Sequence, residues 1–302
     1  MPEPVIRISG LRKAYGAAEA VRGIDLEVSR GEVFAFLGPN GAGKTTTVEI
    51  LEGYRERTGG EVDVLGSDPA HADRAWRERI GIVLQQSRMH PELSVRETLE
   101  LFRGYYRQPR GVDETIELAG LTEKADARVL RLSGGQQRRL DVALALIGDP
   151  ELLFLDEPTT GFDPSARRQA WGVIAGLREL GKTVFLTTHY MDEAQVLADR
   201  AAIIVAGRIV AEGPPDRLGA DADVSEIRFR LPDGAAIGDL PLRGASAEGD
   251  GRFVTIRTGE PVRLLNELTS WALGRGDELT ALNVGSPSLE DVYLELTEEQ
   301  RS

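Results

Sequence analysis

Residues 38–45, with the sequence GPNGAGKT, offer the clearest chemistry in the chain. Glycines at positions 38, 41 and 43 let the backbone curl, so that successive N–H groups point at phosphate oxygens. Lys44 adds a positive charge for the β- and γ-phosphates, and Thr45 offers a hydroxyl to Mg²⁺. The segment follows an apolar run and precedes a predicted helix, which is the context that a phosphate-binding loop requires. These residues predict a nucleoside triphosphate site.

Polar residues at the ends of other apolar runs could complete such a site. Asp156 and Glu157 follow LLFL, and His189 follows TVFLTT. One carboxylate could reach the magnesium while the next faces the attacking water, and a nearby cation would offset their mutual repulsion. Each residue alone also has an ordinary explanation, as part of an acidic turn or as a polar strand end. Gln85 or its neighbour Gln86, after IGIVL, is a further candidate for contact with metal or water.

A second glycine-rich segment, LSGGQ, spans residues 132–136. Ser133, Gly134 and Gly135 at a predicted helix N-terminus would form an anion site, because free N–H groups and the helix dipole favour negative charge. One phosphate loop already surrounds one side of a triphosphate. We therefore expect this segment to face the γ-phosphate of a nucleotide held by another copy, and two-fold symmetry makes such paired sites natural.

Hydropathy patterns indicate the elements that must position these residues. The continuous apolar runs VFAFL, LLFLD and TVFLTT predict strands buried on both sides. In GIDLEVSRGE, apolar and polar residues alternate, which predicts a strand with one solvent-exposed face. Leu140, Ala143, Leu144 and Ile147 have the spacing of one helix face. Buried strands that alternate with helices predict an α/β core with a mainly parallel sheet. A hairpin is expected at residues 205–210.

The pattern changes after a linker rich in proline, glycine and aspartate at residues 212–223, so we expect domains at residues 1–214 and 215–302. The second domain is predicted to be a small α+β domain. Its predicted strands are residues 227–231, 252–258 and 280–284. Its first helix is predicted at residues 261–273, with an apolar face of Val262, Leu265, Leu268 and Ala272. Its last helix is predicted within SPSLEDVYLELTEE, with an apolar stripe of Leu289, Val292, Tyr293 and Leu296.

Composition excludes several classes of protein. The 302 residues contain no cysteine, which excludes disulfides, thiolate zinc sites and cysteine nucleophiles. The N-terminus lacks the pattern of a signal peptide, and the longest apolar runs are too short to span a bilayer. The net charge of −13, with 17 acidic and 9 basic residues from position 215 onward, argues against non-specific binding of nucleic acid.

As a set, these motifs resemble the ATPase subunits of ATP-binding-cassette (ABC) transporters, over roughly residues 5–214. The matches are Tyr15 as aromatic loop, GPNGAGKT as Walker A, Gln85 as Q-loop, LSGGQ as signature, LLFLDE as Walker B, GFD at 161–163 as D-loop and His189 as switch histidine. Phe162 stands where the family usually has leucine, which leaves the role of Asp163 intact. TTGFDP, THYMDEA and PSLEDVYLELT look like the drug- and antibiotic-exporter branch. The implied fold is α/β: a P-loop NTPase (RecA-like) core with antiparallel β and helical subdomains.

The resemblance also implies roles for individual residues. Glu157 would be the general base, His189 would hold the γ-phosphate, and Tyr15 would stack on adenine. Mg²⁺ would be surrounded by Thr45, Gln85 and Asp156. The remaining ATP contacts would come from Gly38, Pro39, Asn40, Gly41, Ala42, Gly43, Lys44, Thr45 and Thr46. The signature residues acting on the other subunit would be Ser133, Gly134, Gly135 and Gln136.

The resemblance further implies an ATPase at the cytoplasmic face of the cell membrane, with ATP and Mg²⁺ as cofactors. Its expected partners are a second ATP-binding subunit, an identical copy in the simplest case, and a separate integral-membrane permease; no nucleic acid is expected. The expected function is to power export of a drug, antibiotic or other hydrophobic compound. The alternatives are an importer ATPase and a soluble ABC-type ATPase acting on DNA or ribosomes. The importer extension is typically β-rich, and the soluble relatives carry coiled coils, zinc modules or a second cassette.

Overall fold

The computed structural model describes residues 3–84, 89–218, 225–242, 247–249 and 252–285. The chain divides into two compact units, Met1–Pro215 and Asp216–Ser302. None of the helices in these described ranges is both long and apolar enough to cross a membrane. The last helix predicted from the sequence, after residue 285, lies outside the described residues.

A six-stranded sheet forms the centre of the first unit, in the order β5-β6-β7-β3-β8-β9. The strands are β3 (Val33–Leu37), β5 (Ile80–Val83), β6 (Leu152–Asp156), β7 (Thr183–Thr188), β8 (Arg200–Val205) and β9 (Arg208–Gly213). All pair in parallel except the β8–β9 hairpin. The predicted parallel core and hairpin are therefore confirmed, and the carboxyl ends of β3, β6 and β7 lie side by side.

A three-stranded antiparallel sheet has the order β2-β1-β4. Its strands are β1 (Pro4–Tyr15), β2 (Ala18–Ser29) and β4 (Gly59–Val64). In β2, Ile24, Leu26 and Val28 are buried while the residues between them are exposed, which confirms the predicted alternation. The buried face shares one apolar core with β3 and β6 of the central sheet.

Seven helices are described in the first unit. They are α1 (Lys44–Leu51), α2 (Arg74–Arg77), α3 (Val95–Arg103), α4 (Val112–Leu118), α5 (Gly134–Leu146), α6 (Pro164–Glu179) and α7 (Met191–Leu197). Helices α3, α4 and α5 surround a separate apolar cluster, so they form a helical subdomain. Leu140, Ala143 and Ile147 are buried in that cluster as predicted, whereas Leu144 is only partly buried.

The second unit contains a four-stranded antiparallel sheet of order β11-β12-β10-β13 and one described helix. The elements are β10 (Ser225–Arg230), β11 (Ala247–Gly249), β12 (Phe253–Thr258), α8 (Pro261–Gly274) and β13 (Thr280–Gly285). The three predicted strands and the helix are confirmed; β11 was not predicted. The predicted helix face was wrong at Val262, which is 82% exposed, because the buried positions are Leu264, Leu268 and Ala272.

Glu52, directly after α1, is a buried acid, 6% exposed. It lines a cleft of about 540 Å³, together with Tyr54, Arg77, Tyr106 and Asp141. Burial raises the pKa of Glu52 to about 8, and the negative charges of Asp156 and Glu49 add to the shift. The folded protein therefore holds a proton that an unfolded glutamate has already released at neutral pH.

We expect this acid to lower stability as the pH rises. An unfolded glutamate ionises near pH 4.5, but the folded carboxyl keeps its proton to about pH 8, so the free energy of unfolding falls across this window by up to about 1.4 kcal/mol per pH unit. Glu52→Gln removes this dependence of the free energy of unfolding on pH. Urea unfolding midpoints should be measured at pH 5, 6.5 and 8, without nucleotide or magnesium. The stability of the variant relative to that of wild type should increase as the pH rises. The exposed Glu56→Gln is the control; equal pH dependence in all three proteins would refute the expectation.

Candidate nucleotide-binding site

The phosphate loop connects the end of β3 to the start of α1. Gly43 has a φ of 109°, and a Cβ there would lie 2.6 Å from the carbonyl oxygen of Ala20. A Cβ on Gly38 would lie 2.3 Å from the carbonyl oxygen of Ile204. Both positions therefore require glycine, since the loop passes close to the neighbouring backbone. The predicted strand–loop–helix context is present.

Lys44 begins α1 and is 5% exposed. Its Nζ donates hydrogen bonds to the carbonyl oxygens of Gly38 at 2.7 Å and Pro39 at 3.3 Å, and it lies 3.8 Å from Oε1 of Glu157. Burial lowers the pKa of Lys44, and the carboxylates of Glu157 and Asp156 act in the opposite direction. The lysine thus joins the phosphate loop to the carboxylates at the end of β6.

A recess of about 330 Å³ surrounds this lysine. It is lined by Ala20, Asn40, Gly41, Gly43, Lys44, Thr45, Thr46, Asp156 and Glu157. The structure therefore brings most of the predicted Walker A residues together with both predicted carboxylates.

Among the described residues, no group of three or more His, Cys, Asp or Glu side chains could hold a metal. Thr45 and Asp156 nevertheless fit Mg²⁺, which takes oxygen ligands and is usually bound by one or two carboxylates, waters and substrate phosphates. Gln85 lies outside the described residues.

Two neighbouring strands hold the carboxylate pair in place. The register pairs Asp156 of β6 with Thr187 of β7, and the Thr187 hydroxyl donates a hydrogen bond to Oδ1 of Asp156. Glu157 has a φ of 46°, a left-handed conformation that is rare for a residue with a side chain. Its N–H donates to the backbone oxygen and the hydroxyl oxygen of Thr187, both at 3.1 Å. The side chain accepts a bond from the Thr160 hydroxyl at 3.1 Å.

His189 follows β7 and lies beside the same carboxylate. Its Nδ1 is 3.3 Å from Oε1 of Glu157, without the alignment of a hydrogen bond. The imidazole ring lies against the ring of Tyr190, with 4.1 Å between the ring centres and 37° between the ring planes. Lys44, Glu157 and His189 thus converge on one point at the carboxyl ends of three parallel strands, as the sequence predicts for a phosphate site.

Glu193 is a buried acid that the sequence did not indicate, and it lies outside the lining of the recess. It belongs to α7, is fully buried, and its Oε1 accepts hydrogen bonds from the Thr159 hydroxyl at 2.8 Å and the Trp171 indole at 3.1 Å. Burial raises the pKa of Glu193. These contacts connect the helix after His189 to the loop after Glu157. The only sequence signal was its place in THYMDEA.

Tyr15 lies at the end of β1 and does not line the recess. It pairs with Ala18 of β2, two positions before the recess residue Ala20. The residue is 44% exposed, and the side chains of Lys13 and Arg55 lie 5.2 and 5.3 Å from the ring centre. An exposed aromatic ring near the recess is available to stack on a base.

The signature segment lies at the start of α5. The Ser133 hydroxyl accepts a bond from the N–H of Gln136, and the Gln136 side chain accepts one from the N–H of Ser133. Ser133 and Gly134 are exposed, and none of residues 132–136 lines the recess around Lys44. Asp163 caps α6 by accepting from the N–H groups of Ser165 and Ala166. Within one chain, the signature is therefore separate from the phosphate loop.

Known proteins are similar to this chain in sequence and in fold. Residues 21–160 match the family model described as ABC transporter, and residues 225–288 match that of the C-terminal domain of ABC transporter domain-containing proteins. A daunorubicin resistance ATP-binding protein of Streptomyces coeruleorubidus is 38% identical, and the alignment covers 100% of this chain and 98% of that protein. The chain belongs to the ATP-binding subunits of ABC transporters.

Further similarities support this assignment. The Nod factor export ATP-binding protein I of Ralstonia nicotianae is 44% identical over 97% of this chain and 94% of its own length. A solved dimeric ATP-binding cassette in a post-hydrolysis state with ADP and phosphate is 27% identical, with a TM-score of 0.62, over 69% of this chain and 98% of its own. The predicted P-loop NTPase fold, the ABC ATPase activity and the exporter branch are confirmed, and no comparison supports the importer or the soluble ATPase.

We expect Glu157→Gln to separate ATP binding from hydrolysis. The amide keeps the shape of the side chain and an oxygen for the Thr160 hydroxyl, but it cannot accept a proton. Turnover should fall on the order of 10²–10⁴-fold, the usual contribution of a positioned base, while ATP affinity measured by titration is retained. Glu193→Gln is the matched control, since it changes another buried glutamate to an amide, and its turnover should stay close to wild type. Full activity of Glu157→Gln would place the base elsewhere.

Proposed function

We propose that two copies of this chain enclose two ATP molecules, each bound by the phosphate loop of one copy and the signature of the other. The observation that carries this proposal is the separation of these motifs. The recess around Lys44 is lined by the phosphate loop and the two carboxylates, whereas the exposed residues Ser133 and Gly134 are not part of it. The N-terminus of the 13-residue helix α5 favours an anion, which a facing copy would supply as a γ-phosphate.

Side chains in the recess and next to it have distinct roles in binding and hydrolysis of ATP. Lys44 binds the β- and γ-phosphates, and Glu157 takes the proton of the water that attacks the γ-phosphorus as ADP leaves. His189, beside Glu157, contacts the γ-phosphate, and Tyr15 stacks on adenine. Thr45 and Asp156 would hold Mg²⁺, which would supply positive charge against that of the phosphates; the family resemblance adds Gln85 as a ligand.

The relatives carry the names of daunorubicin resistance and Nod factor export proteins, which supports a drug, antibiotic or other hydrophobic compound as cargo. We propose that a separate permease carries this compound and that the helical subdomain of α3, α4 and α5 meets it at the cytoplasmic face of the membrane. Residues 1–214 act as the ATPase domain, and residues 215–302 as an accessory domain.

Mixing two inactive variants tests the paired sites. Lys44→Ala removes the phosphate-binding charge, and Ser133→Arg blocks the signature, so each variant alone should be inactive. A mixed dimer keeps one intact site, formed by the phosphate loop of the Ser133→Arg chain and the signature of the Lys44→Ala chain. An equimolar mixture should regain up to about a quarter of wild-type activity, since half of the dimers are mixed and each has one intact site.

The control is a chain that carries both substitutions. Mixed with either single variant, it forms no intact site and should restore nothing. Two affinity tags on the two chains show that mixed dimers have formed. Mixed dimers without regained activity would contradict the proposal that each site works with one phosphate loop and one opposing signature.

A further inference from the structure

Glu157 adopts a backbone conformation that must be held by its surroundings. Its φ of 46° lies in the left-handed region, which is unfavourable for a residue with a Cβ and persists only where neighbouring groups enforce it. Thr187 supports this conformation from β7 by accepting the Glu157 N–H. The direction of the Glu157 side chain follows from this backbone, so any group that fixes the flanking peptides also fixes the carboxylate.

Arg138 holds those peptides from the opposite side. It extends from α5 and is 8% exposed. Its guanidinium donates to the carbonyl oxygen of Asp156 at 2.7 Å and to that of Pro158 at 3.2 Å. It makes a longer bond, of 3.5 Å, to the backbone carbonyl oxygen of Glu157. It also donates to the carbonyl oxygen of Leu84, directly after β5. One side chain therefore binds the peptides on both sides of Glu157.

Asp141, one turn further along α5, keeps this buried cation in place. Its Oδ2 lies 3.6 Å from Nη1 of Arg138, and both side chains are 9% exposed. Burial lowers the pKa of Arg138, and the Asp141 carboxylate opposes that shift. Only a planar guanidinium has enough donors in fixed directions to reach carbonyls of two strands at once, because an ammonium is a point charge on a flexible stem.

We propose that Arg138 is a positioning residue for ATP hydrolysis: by binding the peptides around Glu157 it holds the carboxylate in the direction that accepts the proton of water. This inference rests on the proposed role of Glu157 as general base. Arg138 is two positions beyond the signature residue Gln136 on the same helix. A displacement of the start of α5 is therefore transmitted directly to the backbone around Glu157.

Arg138→Met tests the proposal, since methionine keeps much of the length but has no donors. We expect kcat to fall about tenfold to 100-fold, the effect of a displaced catalytic group, while KM for ATP changes little. Arg138→Lys, with one charged donor group, should recover part of the loss. Arg139→Met is the matched control, because Arg139 donates to the Gly120 carbonyl instead, and its kcat should equal that of wild type.

The same substitution in a Glu157→Gln background separates this role from a purely structural one. If Arg138 acts through Glu157, Arg138→Met should change the residual single-turnover rate of Glu157→Gln by less than about twofold. An equal loss in both backgrounds would overturn the proposal, as would an unchanged kcat of Arg138→Met. The proposal would also be overturned if Arg138→Met and Arg138→Lys lost kcat to the same extent and both lost ATP affinity as well. If Glu157→Gln itself is fully active, the proposed base is wrong, and that result is distinct from all of these.

Discussion

The buried positive charge of Lys44 is the interaction on which the rest of the site depends. Two adjacent carboxylates, Asp156 and Glu157, repel each other and would also repel a nucleotide, so a cation must lie beside them. Lys44 lies 3.8 Å from Glu157 and is held by two carbonyls of its own loop. That placement requires α1 to start at the lysine and the loop to pass close to the backbone of Ala20 and Ile204, which only glycine permits at positions 43 and 38.

The parallel sheet supplies the other half of the arrangement. Because β3, β6 and β7 end at the same edge, one row of strand ends carries the phosphate loop, the carboxylates and His189. Helix α5 then joins this row to the helical subdomain through Arg138, whose donors bind the ends of β5 and β6. The helix that begins with the signature is thus connected to the backbone of its own chain's carboxylates.

Much of this arrangement could be predicted from the sequence, because the phosphate loop, the carboxylates and His189 all follow apolar runs that are visible as buried strands. The contacts of Arg138 and Glu193 could not, since they join residues 54 and 34 positions apart and leave no local pattern. The error at Val262 has a simple geometric cause. Buried positions of α8 recur every four residues from Leu264, and Val262 lies about 200° around the helix from that residue.

The central claim, that one chain holds only half of each hydrolytic site, is tested most directly by the dependence of activity on protein concentration. ATP turnover per chain should be measured at saturating Mg-ATP over a dilution series, with light scattering reporting the fraction of dimer. Turnover per chain should rise with the dimer fraction and approach zero where the chains are monomeric. Constant turnover per chain at dilutions where scattering shows only monomers would contradict it.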